Sequence, residues 1–168
     1  MSKNIRAIIV ADTGPLIALA KIEQLHLLPK LYQQIKIPQV VLSEATVNSN
    51  WQDSQRIDRF AREHTEICAE LVTDQVEVLL QRLDEGESQA IALADSLQCS
   101  VLLDERRGRI VAKKMQISMI GTVGLLLLAK QEKLIPEIGS LLEVMTKNGY
   151  RLAPALIQKA LILAREKI

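Results

Sequence analysis

Short apolar runs alternate along this chain with stretches in which apolar residues recur at helical spacing, the two patterns that mark buried strands and one-sided helices. Ile5 to Ala11 is β-branched and apolar and reads as a buried first strand that stops at Asp12. Thr13 and Pro15 suit a helix start, and Leu16, Ile17, Leu19 and Ala20 form its apolar side. Leu25 to Tyr32 predicts a second short helix and Ile35 to Ile37 a strand. Pro38 opens a helix through PQVVLSEA, in which Val40, Val41 and Ala45 face inward and Glu44 sits two turns in. Asn48 to Asp53 is polar and turn-like, and Gln55 to His64 is a charged helix that buries Ile57, Phe60 and Ala61. Glu66 to Val72 reads as a strand and Gln75 to Leu83 as a helix.

The second half continues the alternation. Asp84-Glu85-Gly86 reads as a turn before a helix that opens at Glu87 and carries Ile91, Leu93, Ala94 and Leu97 inward. Val101 to Leu103 is a strand buried on both faces that ends at Asp104. Arg106 to Met115 predicts a helix, Ile117 to Ile120 a strand, and Thr122 to Gln131 a very apolar helix capped by Thr122. Glu137 to Asn148 has Ile138, Leu141, Leu142 and Met145 at helical spacing and stops at Asn148-Gly149. Pro154 to Lys167 is a last amphipathic helix. Strands alternating with helices predict an α/β fold with a mostly parallel sheet. We expect one domain over residues 1–168, with an α/β core at 1–135 and a helical addition at 136–168.

Composition narrows the function. A net charge of +1 gives no global field, so a nucleic-acid role needs a local patch. Aromatics are 2% of residues, which argues against base stacking as the main mode of recognition. Cys68 and Cys99 have neither metal-site spacing nor a disulfide framework, which points to the cytoplasm. The most apolar late stretch, Met119 to Ala129, is broken by two glycines and falls short of the roughly 20 residues a bilayer requires, so no membrane role is expected.

Four acids stand out by position. Asp12 ends the first strand, Glu44 lies on the helix after the second, Glu87 is in the first turn of a helix, and Asp104 is at a strand tip. Each has an ordinary reading: a helix cap for Asp12 and Asp104, a solvated face for Glu44, a favourable helix-dipole position for Glu87. Together they place negative charge along one edge of a parallel sheet, where ligands of open α/β sheets bind. Crowded carboxylates are unfavourable without a cation, and a hard divalent ion relieves them. Asp84, Glu85, Asp95 and Glu105 fit no such role. Thr13 either caps its helix or bonds a water in the site, and Thr122 reads as a cap. Arg106, Arg109 and Lys113 fall on one helical stripe just beyond Asp104 and suit contact with substrate phosphates, or a solvated face. The apolar-Asp-Thr-Gly run at Ile8 to Gly14 mimics aspartic proteases, but those are all-β and Pro15 to Ile22 reads helical. A phosphotransfer receiver domain would need paired acids after the first strand, and only Asp12 is there.

Four segments in order, ADTGPLIALAKI, IPQVVLSEA, LDEGESQAIALA and VLLDERRGR, resemble the PIN-domain superfamily, and more narrowly its DUF3368-like group, related to VapC-type toxin ribonucleases. The resemblance runs from Ile5 to about Arg165 and includes GTVGLLLLAK and RLAPALIQKAL. It implies a three-layer αβα domain with extra C-terminal helices. It also implies an Mg²⁺- or Mn²⁺-dependent endoribonuclease whose metal-binding and catalytic acids match Asp12, Glu44, Glu87 and Asp104. The implied partners are RNA and a small antitoxin-like protein, and the leucine-rich late helices suit a dimer face or the seat of a partner helix. Many PIN nucleases carry a further acid shortly after the strand-tip Asp in a T-x-D-x-D-like run. Here Asp104 is followed by Glu105-Arg106-Arg107, which is out of register. That departure supports a second reading: a catalytically weak or inactive module that binds RNA or a small protein.

Overall fold

Ile9, Val10 and Ala11 are all fully buried, yet they serve two different cores, because successive strand residues point to opposite faces of the sheet. The computed structural model describes residues 5–47 and 51–167. Within them, strands β1 (Arg6–Ala11), β2 (Tyr32–Pro38), β3 (Glu66–Cys68), β4 (Ser100–Leu102) and β5 (Met119–Ile120) form a parallel sheet in the order β3-β2-β1-β4-β5. Ile9, Ala11 and Leu102 face a core shared with α1 (Thr13–Lys21), α2 (Leu27–Leu31), α4 (Trp51–His64) and α8 (Thr122–Gln131). Val10, Val101 and Leu103 face a second core with α5 (Asp74–Leu80), α6 (Glu85–Leu97) and α7 (Arg106–Lys114). Helix α3 (Gln39–Val47) buries Val41 and Ala45 in the first core. The result is the three-layer αβα arrangement expected from the sequence. No helix among the described residues is long and apolar enough to cross a membrane.

The strand order sets the position of the site. The chain moves from β1 outward to β3, then returns to the other side of β1 for β4 and β5. The crossovers after β1 and β4 therefore diverge, and a crevice opens between the carboxyl ends of these two strands. Asp12 and Asp104 follow those two ends. Their spacing is fixed by the ladder, since the Asp12 amide donates to the Leu102 carbonyl at 3.1 Å.

Several boundaries differ from the sequence reading. Pro38 ends β2 rather than opening α3, and β2 is longer than expected because it pairs with β1 from Tyr32 onward. The strand expected at Glu66 to Val72 stops at Cys68, whose partner is Pro38; beyond the end of β2 this edge strand has nothing to pair with. The expected turn at Asn48 to Asp53 is half outside the described residues (48–50), and Trp51 to Asp53 already belong to α4. Helix α6 begins at Glu85, so Asp84 is its N-cap and Glu87 its third residue. Asp12 and Gly121, in extended backbone, occupy the N-cap positions assigned to Thr13 and Thr122.

The C-terminal helices α9 (Gly139–Lys147) and α10 (Pro154–Leu163) bury Ile138, Leu142, Met145, Ala160 and Ala164 in the first core. Glu166 locks them. Its carboxylate accepts from Lys130 Nζ (2.7 Å), the Ile138 amide (2.7 Å) and the Gly139 amide (2.8 Å), where α9 begins. Burial works against its ionisation, but these donors hold the Glu166 carboxyl below its ordinary range. Glu166→Ala leaves the Ile138 and Gly139 amides without this acceptor, while Lys130 keeps the Ala164 carbonyl, and is expected to cost about 2 kcal/mol. Urea unfolding of the variant checks this; an unchanged midpoint would exclude the lock.

Candidate functional site

Three carboxyl groups meet at the end of β1. Asp12 is only 4% exposed, and its side chain makes no cap bond to α1. Burial pushes its pKa up to about 7; the Thr13 backbone amide works against this, while Glu87, Asp84 and Glu44 add repulsion. Glu87 is buried at the start of α6. It forms a capping box with Asp84: the Glu87 amide donates to Asp84 Oδ1 at 2.8 Å, and Glu87 Oε2 accepts from the Asp84 amide at 3.4 Å. Glu87 Oε1 is buried with no hydrogen-bond partner. Burial and the Asp84 charge raise the Glu87 pKa as well. Glu44 reaches this group from α3, and its Oε2 accepts from Thr13 Oγ1 at 2.9 Å.

Asp104, after β4, is held by a different set of partners. Its Oδ1 accepts from the Thr122 amide at 2.8 Å, and its Oδ2 accepts from Thr122 Oγ1 at 2.6 Å and from the Tyr150 hydroxyl. Asp104 thus holds the N-terminus of α8 from outside rather than capping α7. Burial and the nearby Asp104 charge push the Tyr150 pKa well above its ordinary value.

Glycines make room for these acids. A Cβ at Gly86 would strike Glu44 Oε2, one at Gly108 would lie 3.0 Å from Glu87 Oε1, and one at Gly121 would lie 2.9 Å from Asp104 Oδ1. Each carboxylate is seated in a space that a side chain would fill.

A groove of about 640 Å³ opens on Asp12 and Asp104. Arg106 and Arg109 line it; Lys113, further along α7, does not. Arg109 Nη1 donates to the Leu103 carbonyl at 2.8 Å, so this arginine also fixes the end of β4. Among the acids set aside in the sequence, Asp95 bonds Gln75 away from the site, whereas Asp84 and Glu105 both act on Glu87. Asp84 and Tyr150 are the site residues that sequence reasoning missed. The Asp84-x-x-Glu87 spacing, a capping-box pattern, was the available signal for the first; no local signal marks the second.

Among the described residues no group of three acids is close enough together to enclose one ion. The donor set nevertheless suits a hard cation. It consists only of carboxylate oxygens, one of them buried and unpartnered, beside an acid whose ionisation is held back by burial. Mg²⁺ takes one or two carboxylates and keeps several waters, so such a site does not need three converging acids.

The chain is a parallel αβα domain with acids at the switch point of its sheet, the place where ligands of open α/β folds bind. A model of the DUF3368 family of PIN domains matches residues 8–166, and the chain belongs to that family. Among solved structures, PAE2754 from Pyrobaculum aerophilum is similar with a TM-score of 0.53 at 17% identity, over 77% of this chain and 99% of that one. At that identity the likeness is one of fold. No curated protein matches the sequence. PIN domains are usually nucleases, and PIN nucleases generally use divalent metals.

Proposed function

We propose that the protein is a metal-dependent endoribonuclease that hydrolyses RNA phosphodiester bonds. The observation that carries this is the pair of buried acids Asp12 and Glu87 at the end of β1, whose ionisation is opposed by burial and by neighbouring carboxylates, with Glu44 reaching toward them from α3. Asp12 and Glu87 would hold Mg²⁺ or Mn²⁺, with Glu44 as a further ligand or as the group that orients the attacking water. When bound, the ion would offset charge growing on the phosphate and make water easier to deprotonate. Asp104, held by three donors, is fixed in place beside the crevice. The Thr13 hydroxyl orients Glu44, and the Asp84 cap orients Glu87. Arg106, at the rim of the groove, contacts the phosphate chain, and Arg109 keeps the β4 end in place. From the resemblance to VapC-type toxins in the sequence we also propose a small antitoxin-like partner.

The test is cleavage of single-stranded RNA by the purified chain with Mn²⁺, with EDTA, and with Glu87→Gln. Cleavage should require the ion and fall by roughly a hundredfold or more in the variant. A second reading, an RNA-binding module with little catalysis, is favoured by the saturation of Asp104 with donors. RNA binding without EDTA-sensitive cleavage would select it.

A further inference from the structure

The wall of the groove opposite α7 is built by the C-terminal segment, to which the sequence assigned no site residue. Arg151 precedes α10 and Lys159 lies on it; both are exposed and both line the groove that holds Asp12 and Asp104. Arg106 faces the same groove from α7. None of these three cations is in an ion pair with a described residue. They flank a floor of acids, where a polyanion would be repelled unless its phosphates were held at the sides.

The wall is anchored at both ends. The Tyr150 hydroxyl donates to Asp104 Oδ2, and the Tyr150 amide donates to the Met145 carbonyl at 3.0 Å. At the far end Lys130 Nζ donates to the Ala164 carbonyl and to Glu166 Oε1, both at 2.7 Å. Between the anchors, Leu152 and Leu156 give the groove an apolar lining that suits base faces without reading them.

Resting on the nuclease reading above, we propose that Arg151 and Lys159 are positioning residues that hold the phosphates of a single RNA strand, so that the C-terminal segment forms half of the substrate cleft. Tyr150 sets the wall's distance from the acids. A single strand is favoured over a duplex because Asp12 lies almost completely buried at the groove's floor.

The test is the binding of a short fluorescein-labelled single-stranded RNA in EDTA, measured by anisotropy at several salt concentrations. Arg151→Gln with Lys159→Gln should weaken binding about tenfold near 100 mM salt and make the log–log salt slope shallower by about 1.4. Arg151→Lys with Lys159→Arg should restore both, which a merely structural role would not predict. Wild-type affinity and slope in the double Gln variant would overturn the proposal and leave the nuclease reading standing. If a polyglutamate peptide of matched charge displaces the RNA as well as unlabelled RNA does, the cleft is an acidic-peptide site and the proposal is overturned. If the wild type binds no RNA in EDTA, the proposal is overturned, while the nuclease reading is decided separately by cleavage with Mn²⁺.

Discussion

Replacing Asp12 with asparagine is expected to make the metal-free protein more stable at pH 8 while abolishing RNA cleavage. The Asp12 carboxyl goes from an ordinary 3.8 to about 7 in the fold. Between those values the folded chain holds a proton that the unfolded chain has lost. Its contribution to stability is therefore complete below pH 4 and is lost as pH rises through 7. The full difference corresponds to roughly 4 kcal/mol, and part of it is relieved by local relaxation. Asparagine carries no such charge, so in EDTA the variant should be more stable than wild type by a few kcal/mol at pH 8 and within about half a kcal/mol of it at pH 4. Added Mn²⁺ should reverse the order. An ion that binds only the folded chain stabilises it by about 2.7 kcal/mol at a hundred times its Kd, and the variant should gain far less. Urea unfolding at the two pH values, with EDTA and with Mn²⁺, reads all four conditions. Equal gains from Mn²⁺ in both proteins would remove Asp12 from the ion site.

Gly86→Ala should separate folding from function in the opposite way. Gly86 lies in the first turn of α6, where alanine is a better helix former by up to about 1 kcal/mol. The new Cβ meets Glu44 Oε2, the free end of a flexible side chain, so the fold accommodates it by moving that side chain. Moving it breaks the bond from Thr13 and takes one carboxylate out of the crevice. The expected result is an unchanged or higher melting temperature with cleavage reduced on the order of a hundredfold. Thermal unfolding and initial cleavage rates on the same preparation check this. Full activity would show that Glu44 is dispensable.

The order of elements was legible because β1 carries an apolar, mostly β-branched run, β4 an apolar one, and most helices bury a clear stripe. Candidate acids were legible for a related reason: Asp12 and Asp104 each follow an apolar run that ends abruptly. What the sequence did not show was which polar group bonds which. Thr13 and Thr122 look like caps because they precede apolar helices, but Asp12 and Gly121 take those backbone positions and release the hydroxyls to Glu44 and Asp104. Tyr150 meets Asp104 across 46 residues, a contact that no local period encodes. The glycines read only as turn or helix residues; their role is to leave volume empty for side chains distant in the chain.

The bond from the Asp12 amide to the Leu102 carbonyl joins two segments that leave the ribosome far apart in time. A nascent chain that has made only β1 to β3 has neither the crevice nor Glu87 and Asp104. Thr122 and Tyr150, which fix Asp104, emerge later still. On the ribonuclease activity proposed above, the order of synthesis keeps the growing polypeptide harmless to the message and ribosome producing it, and reserves cutting power for the finished molecule.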